Sequence, residues 1–164
     1  MNAQQLYDCI IKTTHEYIGG NYESKSANFL SLCTAAIESN CGEYIKQING
    51  PALGIWQMEP DTHSDIWQNC DALRNMVFEQ KIYDICGKCG DDALIQSPMY
   101  ACAMARLKYS MDPNPLPKLS GDKDLDCINF FEYYKRVYNT EFGASTYQKW
   151  VNALEANGVW DVEL

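Results

Sequence analysis

The chain has 164 residues, 46% of them apolar, which favours a single domain over 1–164 with a core of useful size. Its formal net charge is −9 and it holds no block of Lys and Arg, which argues against nucleic acid as a partner. No stretch is long and apolar enough to cross a membrane, so membrane insertion is not expected. The opening residues, Met1-Asn2-Ala3-Gln4-Gln5-Leu6-Tyr7-Asp8, lack the basic flank and apolar run of an export signal. Synthesis in the cytoplasm without a signal of its own is the expectation, and any role outside the membrane needs another way out.

Helical spacing dominates from end to end, so the fold class is all-α with room for a small hairpin within 40–58. Leu6, Cys9, Ile10, Thr13, Tyr17 and Ile18 form a first helical face, stopped by Gly19-Gly20. Ser24 or Ser26 caps a second helix that runs to about Glu38. Asn40 to Gly54 has three glycines and a proline and reads as loop. Pro60 opens a helix to about Asn69, and Asp71 caps another that carries Leu73, Met76, Val77, Gln80 and Tyr83. After a turn at Gly87–Asp92, Pro98 opens a helix from Met99 to Met111. Asp112-Pro113-Asn114-Pro115-Leu116-Pro117 is an extended, semi-rigid connection. Asp122 to Tyr138 is helical, with Leu125, Ile128, Phe131, Tyr134 and Tyr138 as its stripe. A loop follows from Asn139 to Ala144, and Ser145 caps the last helix.

Eight cysteines and two histidines complete the inventory of reactive side chains. Without an export signal, mostly free thiols are expected. Cys33 and Cys102 lie in apolar helical contexts, where a free Cys acts as a small hydrophobe. Cys86-Gly87-Lys88-Cys89 is a lone Cys-x-x-Cys without the second close pair of a zinc site, and it reads as a surface turn. No metal or other cofactor is expected. His15 and His63 stand in no recognisable nucleophile–base arrangement and are expected at the surface or at helix caps.

One residue carries more chemistry than its neighbours. Glu38 closes the apolar run Phe29-Leu30-Ser31-Leu32-Cys33-Thr34-Ala35-Ala36-Ile37. A carboxyl at the end of such a helix can sit in a dry cleft, where desolvation raises its pKa and lets it hold a proton near neutrality. A general acid for glycosidic cleavage requires that property. The alternative is a solvated Glu at a helix C-terminus, where the helix dipole disfavours it. Eleven Tyr and four Trp supply rings of the kind that pack on sugar faces, although most are expected in the core, Trp56 among them.

Ala36-Ile37-Glu38-Ser39, followed by Gly54-x-x-Gln57-Met58-x-Pro60-x-Thr62, resembles the two core motifs of the soluble-type lytic transglycosylases. These are relatives of goose-type lysozymes with an α-helical, lysozyme-like fold. A third family element, Ala-Tyr-Asn-Ala-Gly followed by Val-x-x-Trp, is matched loosely by Val137-Tyr138-Asn139-Thr140-Glu141-Phe142-Gly143 and Tyr147-Gln148-Lys149-Trp150. Here the glycine comes two positions late and an alanine is replaced. The three elements span about residues 30–150. Ala105-Arg106-Leu107-Lys108-Tyr109 and the Tyr-Asn-Thr segment are similar to a phage-borne branch.

The resemblance implies cleavage of the β-1,4 bond between N-acetylmuramic acid and N-acetylglucosamine in peptidoglycan, with 1,6-anhydro ends. It implies Glu38 as the acid and then the base and Gln57 as a residue of the sugar cleft. Ser39, Tyr138 and Asn139 are expected as further substrate contacts; helix capping is the alternative for Ser39, orienting Glu38 the alternative for Tyr138 and Asn139, and a core position a second one for Tyr138. Peptidoglycan strands are the implied partner, joined by other virion proteins if the chain is virion-associated; an enzyme released to the wall late in infection is the other route. A hydrolytic lysozyme would need a second carboxylate, for which Glu59, Asp61 and Asp65 are candidates. A non-catalytic wall-binding virion protein and a chitinase-like enzyme are the remaining alternatives.

Overall fold

The computed structural model describes residues 1–140 and 143–164. Its backbone is mostly helical. Helix α1 covers residues 3–18, in which a π-helical turn, Tyr7–Ile11, is inserted between two α-helical pieces. Gly19, at φ +68°, ends it. Helix α2, Lys25–Ser39, is capped by Ser24, whose hydroxyl accepts from the Ala27 amide. From Ala27 to Ala36 every residue of α2 is buried, the pattern of a helix packed on all sides. It touches α1, α6, α7 and α8, whose ranges follow.

The 40–58 segment is looped, with a small β element at its end. Leu53 and Met58 exchange both backbone hydrogen bonds at 2.9 Å, and Lys46 pairs with Leu53 on the other side. Gly54 sits at φ +76°, and a Cβ there would run into the Leu94 carbonyl oxygen, so only glycine fits this close approach. Trp56, fully buried, anchors the turn by donating its indole N–H to the Ser31 carbonyl at 2.9 Å. The expected core role of Trp56 is what the packing shows.

Helix α3 is Pro60–Asn69, with proline in its first turn. The next helix starts later than the sequence suggests. Asp71–Arg74 is a 3-10 turn, and Asn75 caps α4, Met76–Cys86, by accepting from the Val77 and Phe78 amides. Met76 and Val77 are consequently 82% and 72% exposed rather than part of a buried stripe. A short α5, Ala93–Gln96, leads to α6, Pro98–Ser110, capped by Ser97. Helix α7 covers residues 123–139, capped by Asp122, and its last five residues, Lys135–Asn139, form a second π-helical turn. Its buried face is Cys127, Phe130, Tyr133 and Tyr134, whereas Leu125 and Ile128 are 48% and 43% exposed. The expected stripe is thus rotated toward the other side of the helix at its N-terminal end. Helix α8, Tyr147–Ala156, is capped by Thr146, not by Ser145.

Buried side chains from Ala3 to Val159 form one continuous core. Both histidines lie in it, which corrects the expectation that they are superficial. His15 is fully buried between Asn28 and Ser31, and burial lowers its pKa to about 4, so it is neutral at ordinary pH. His63 joins Asp91 (2.8 Å) to the buried Tyr100 hydroxyl (2.6 Å). Cys86 and Cys89 are joined as a disulfide, which corrects the reading of two separate thiols, while Cys9, Cys33, Cys41, Cys70, Cys102 and Cys127 are free. Among the described residues no helix is long and apolar enough to cross a membrane.

Candidate functional site

Helix α2 ends in a way that turns Glu38 outward from the core. Asn40 and Cys41 both take left-handed backbone angles, φ 49° and 55°, and their amides close back on the Ala36 and Ala35 carbonyls. The chain leaves the helix there, and the Glu38 carboxyl opens onto a cavity of about 410 Å³. The hairpin contributes Gln57, Met58 and Glu59 to the lining, and α7 with the loop after it contributes Tyr138, Asn139, Thr140, Gly143, Ala144 and Ser145. Four of the five residues singled out from the sequence therefore face one cavity, although up to 101 positions separate them.

Glu38 is half-buried, and burial pushes its pKa up to about 7 from an ordinary 4.5. One interaction works the other way: Tyr134 donates its hydroxyl proton to Glu38 Oε1 at 2.6 Å and favours the ionised form. Desolvation wins, so near neutral pH the carboxyl is about half protonated. Ser145 lies 2.9 Å from the same phenol oxygen. Because the Tyr134 proton is spent on Glu38, Ser145 is the donor in that pair. The result is a short polar chain, Ser145 to Tyr134 to Glu38, fixing one carboxyl oxygen and leaving Oε2 for the cavity.

Ser39 does not belong to the lining. Its fully buried hydroxyl donates to the Ile55 carbonyl at 2.6 Å, with Ala35 O at 3.3 Å, and accepts from the Gly42 amide at 2.9 Å. It ties the hairpin to the end of α2, which corrects its expected role as a substrate contact. Gln57 faces the cavity from a left-handed backbone, φ 46°, an arrangement that costs about 1 kcal/mol for a non-glycine residue. Its amide nitrogen donates one N–H to the Gly54 carbonyl at 2.8 Å, which leaves the second N–H and the side-chain carbonyl for a ligand. Tyr138 donates to the Trp56 carbonyl at 2.8 Å and stacks between Tyr109 and Tyr134, with ring centroids 5.1 and 6.2 Å away. It braces the hairpin against α7 and is also part of the cavity lining. Asn139 accepts from Lys135 Nζ at 2.7 Å, and the same ammonium donates to the Gly143 carbonyl at 2.7 Å. Glu141 and Phe142 lie outside the described residues.

Of the three candidate second carboxylates, only Glu59 lines the cavity. Lys108 of α6 is also there, so the described lining sets one cation against Glu59 and a Glu38 that is half neutral. Among the described lining residues the charge is therefore close to balanced. Among the described residues no group of three or more His, Cys, Asp or Glu side chains is gathered to hold a metal ion.

Reasoning from sequence missed Tyr134, Ser145, Tyr44 and Lys108. Tyr134 had a usable signal: it lies one helical turn before Tyr138, on the same side of α7. Tyr44 had none, since loop residues carry no periodicity. No known protein family, curated protein or solved structure matches this chain.

Proposed function

We propose that the chain is a lytic transglycosylase that cuts the glycan strands of peptidoglycan, with Glu38 as its only obligatory acid and base. The observation that carries this reading is a desolvated carboxyl, raised to about pH 7, opening onto a groove-like cavity and steadied by a phenol. The motif resemblance around Glu38 and Gln57 supports the choice of substrate, and the all-α architecture agrees with a lysozyme-like fold.

In the first step protonated Glu38 gives its proton to the glycosidic oxygen as the C1–O bond breaks, and N-acetylglucosamine leaves with a free 4-hydroxyl. In the second, the Glu38 carboxylate takes the proton from the 6-hydroxyl of the muramic acid residue, whose oxygen closes on C1. No water is consumed, and the carboxyl returns to its starting state. A pKa near the working pH suits a group that must give a proton and then take one. Tyr134 holds the ionised form between the two steps.

A hydrolytic mechanism has one observation in its favour, the position of exposed Glu59 on the same lining. Digestion of purified peptidoglycan by wild type and Glu38→Gln, with products identified by mass spectrometry, separates the readings. Products one water lighter than hydrolysed muropeptides, formed only by wild type, are expected. Hydrolysed reducing ends would mean a lysozyme using a second carboxylate. Wall binding without cleavage by the folded wild type would mean a non-catalytic wall-binding protein, and cleavage of chitin in preference to peptidoglycan a chitinase-like enzyme.

A further inference from the structure

Two aromatic side chains line the described part of the cavity, Tyr44 and Tyr138, and they are built differently. Tyr138 has neighbouring rings on it, with Tyr109 and Tyr134 stacked against it. Tyr44 is 43% exposed, and among the described residues no aromatic ring packs on it. An exposed ring on a loop is normally free to rotate, at an entropic cost to any ligand that must hold it still. This one is already held. Its hydroxyl donates to the backbone carbonyl of Glu38 at 2.9 Å, so the ring is tethered to the residue that carries the acid. Its hydroxyl proton is spent on that bond, and the broadest surface it offers a ligand is an apolar face.

We propose that Tyr44 is the stacking platform for the hexosamine ring bound next to Glu38. This rests on the reading of Glu38 as the acid that cleaves glycan strands. A β-1,4-linked gluco-configured ring carries its substituents equatorially and presents axial C–H groups on its faces, which match an aromatic face without any hydrogen bond. The tether sets the height of that face relative to Glu38, so the platform positions the sugar as well as binding it.

The test uses the full chain carrying Glu38→Gln, which prevents turnover, and soluble peptide-free glycan strands of peptidoglycan as the ligand in titration calorimetry. Tyr44→Ala in that background is expected to weaken binding about tenfold, and Tyr44→Phe, which keeps the face and loses the tether, by no more than about threefold. Circular dichroism and thermal melts on each variant check that the fold is unchanged, as exposure of the ring leads one to expect. Equal affinity of Tyr44→Ala and its parent would overturn the platform and leave the role of Glu38 standing. Failure of the chain with Glu38 intact to cleave the same strands would overturn the underlying reading, and the platform with it. Tyr44→Phe falling as far as Tyr44→Ala would also overturn the platform, because the hydroxyl and its bond to Glu38, and not the face, would then account for the affinity.

Discussion

Two clusters in this protein use nearly the same side chains and end up with opposite characters. At the end of α2, Glu38 meets Tyr134 directly, and Ser145 backs the phenol. Between α3, the loop after α4, and α6, Asp91 meets His63, which meets Tyr100, and Trp67 donates to the Tyr100 oxygen at 2.9 Å. Each is a carboxyl linked to a phenol. In the first the carboxyl is the desolvated member and faces a cavity. In the second the carboxyl is half exposed, at 51%, and the buried His63 and Tyr100 are outside the described lining of the cavity. The comparison teaches that residue chemistry alone does not make a site. The group that must change its charge has to be both short of water and open to a ligand. The Asp91 cluster satisfies polar groups inside the fold and serves as a clamp between three elements.

The sharpest way to separate the clusters is Glu38→Gln. Cleavage of glycan strands should fall by about 10³-fold, the scale of a lost general acid, without loss of fold. The same variant tests the protonation argument through stability. Glu38 has a folded-state pKa above its ordinary one, so the stability tied to its proton is fully present below about pH 4.5 and is lost as pH rises through about 7. Wild type should therefore lose up to about 2 kcal/mol relative to Glu38→Gln between those limits, read from thermal melts across the range. A constant difference between the two would mean that the carboxyl is solvated.

His63→Ala is the mirror experiment. It leaves the buried Tyr100 hydroxyl short of a partner and opens a small void, so unfolding in urea should show a loss of about 2–3 kcal/mol. Cleavage per folded molecule should stay within about twofold, an order-of-magnitude expectation for a residue outside the cavity. A collapse of activity with stability intact would make the second cluster a site and break the comparison.

Tyr134→Phe comes next in size. Loss of the bond to Oε1 removes the one influence that favours the ionised form, so the Glu38 pKa should move further up. The rate of wild type should fall about tenfold for each pH unit above about 7, as the acid form disappears. In the variant that break should shift to higher pH, while the plateau below it drops about tenfold through poorer orientation and a less stabilised carboxylate between the two steps. A pH–rate profile with an unmoved break would assign Tyr134 to packing alone. Asp91→Asn should have the smallest effect, about 0.5 kcal/mol, because the carboxyl is half exposed and the amide oxygen can still face His63. A much larger loss in the same urea titration would show that its charge, and not its hydrogen bond, holds the clamp.

The helices were legible in the chain because their signals are local. Ser24, Pro60, Pro98 and Asp122 start helices, and Gly19 ends one, each through backbone chemistry that needs no distant partner. So was the placement of Glu38 at the end of an apolar helix. At two helix starts the cap is not the residue that the sequence suggests: Asn75 caps α4 in place of Asp71, and Thr146 caps α8 in place of Ser145, which is bonded instead to Tyr134. The same holds for which face of α7 is buried at its start. Tertiary structure alone decided that His15 and His63 are internal, because a histidine reads as polar in sequence while two satisfied ring nitrogens allow full burial. It alone separated Ser39 from Glu38, one residue apart and yet on different sides of the helix end, so that the serine serves the loop and the carboxyl faces the cavity. And it alone brought Tyr134 and Tyr44 to Glu38. Beyond the reach of a helical turn, the number of residues between two groups does not set their distance once the chain has folded, whereas desolvation and hydrogen bonding, which set what a carboxyl can do, depend on distance and direction in space.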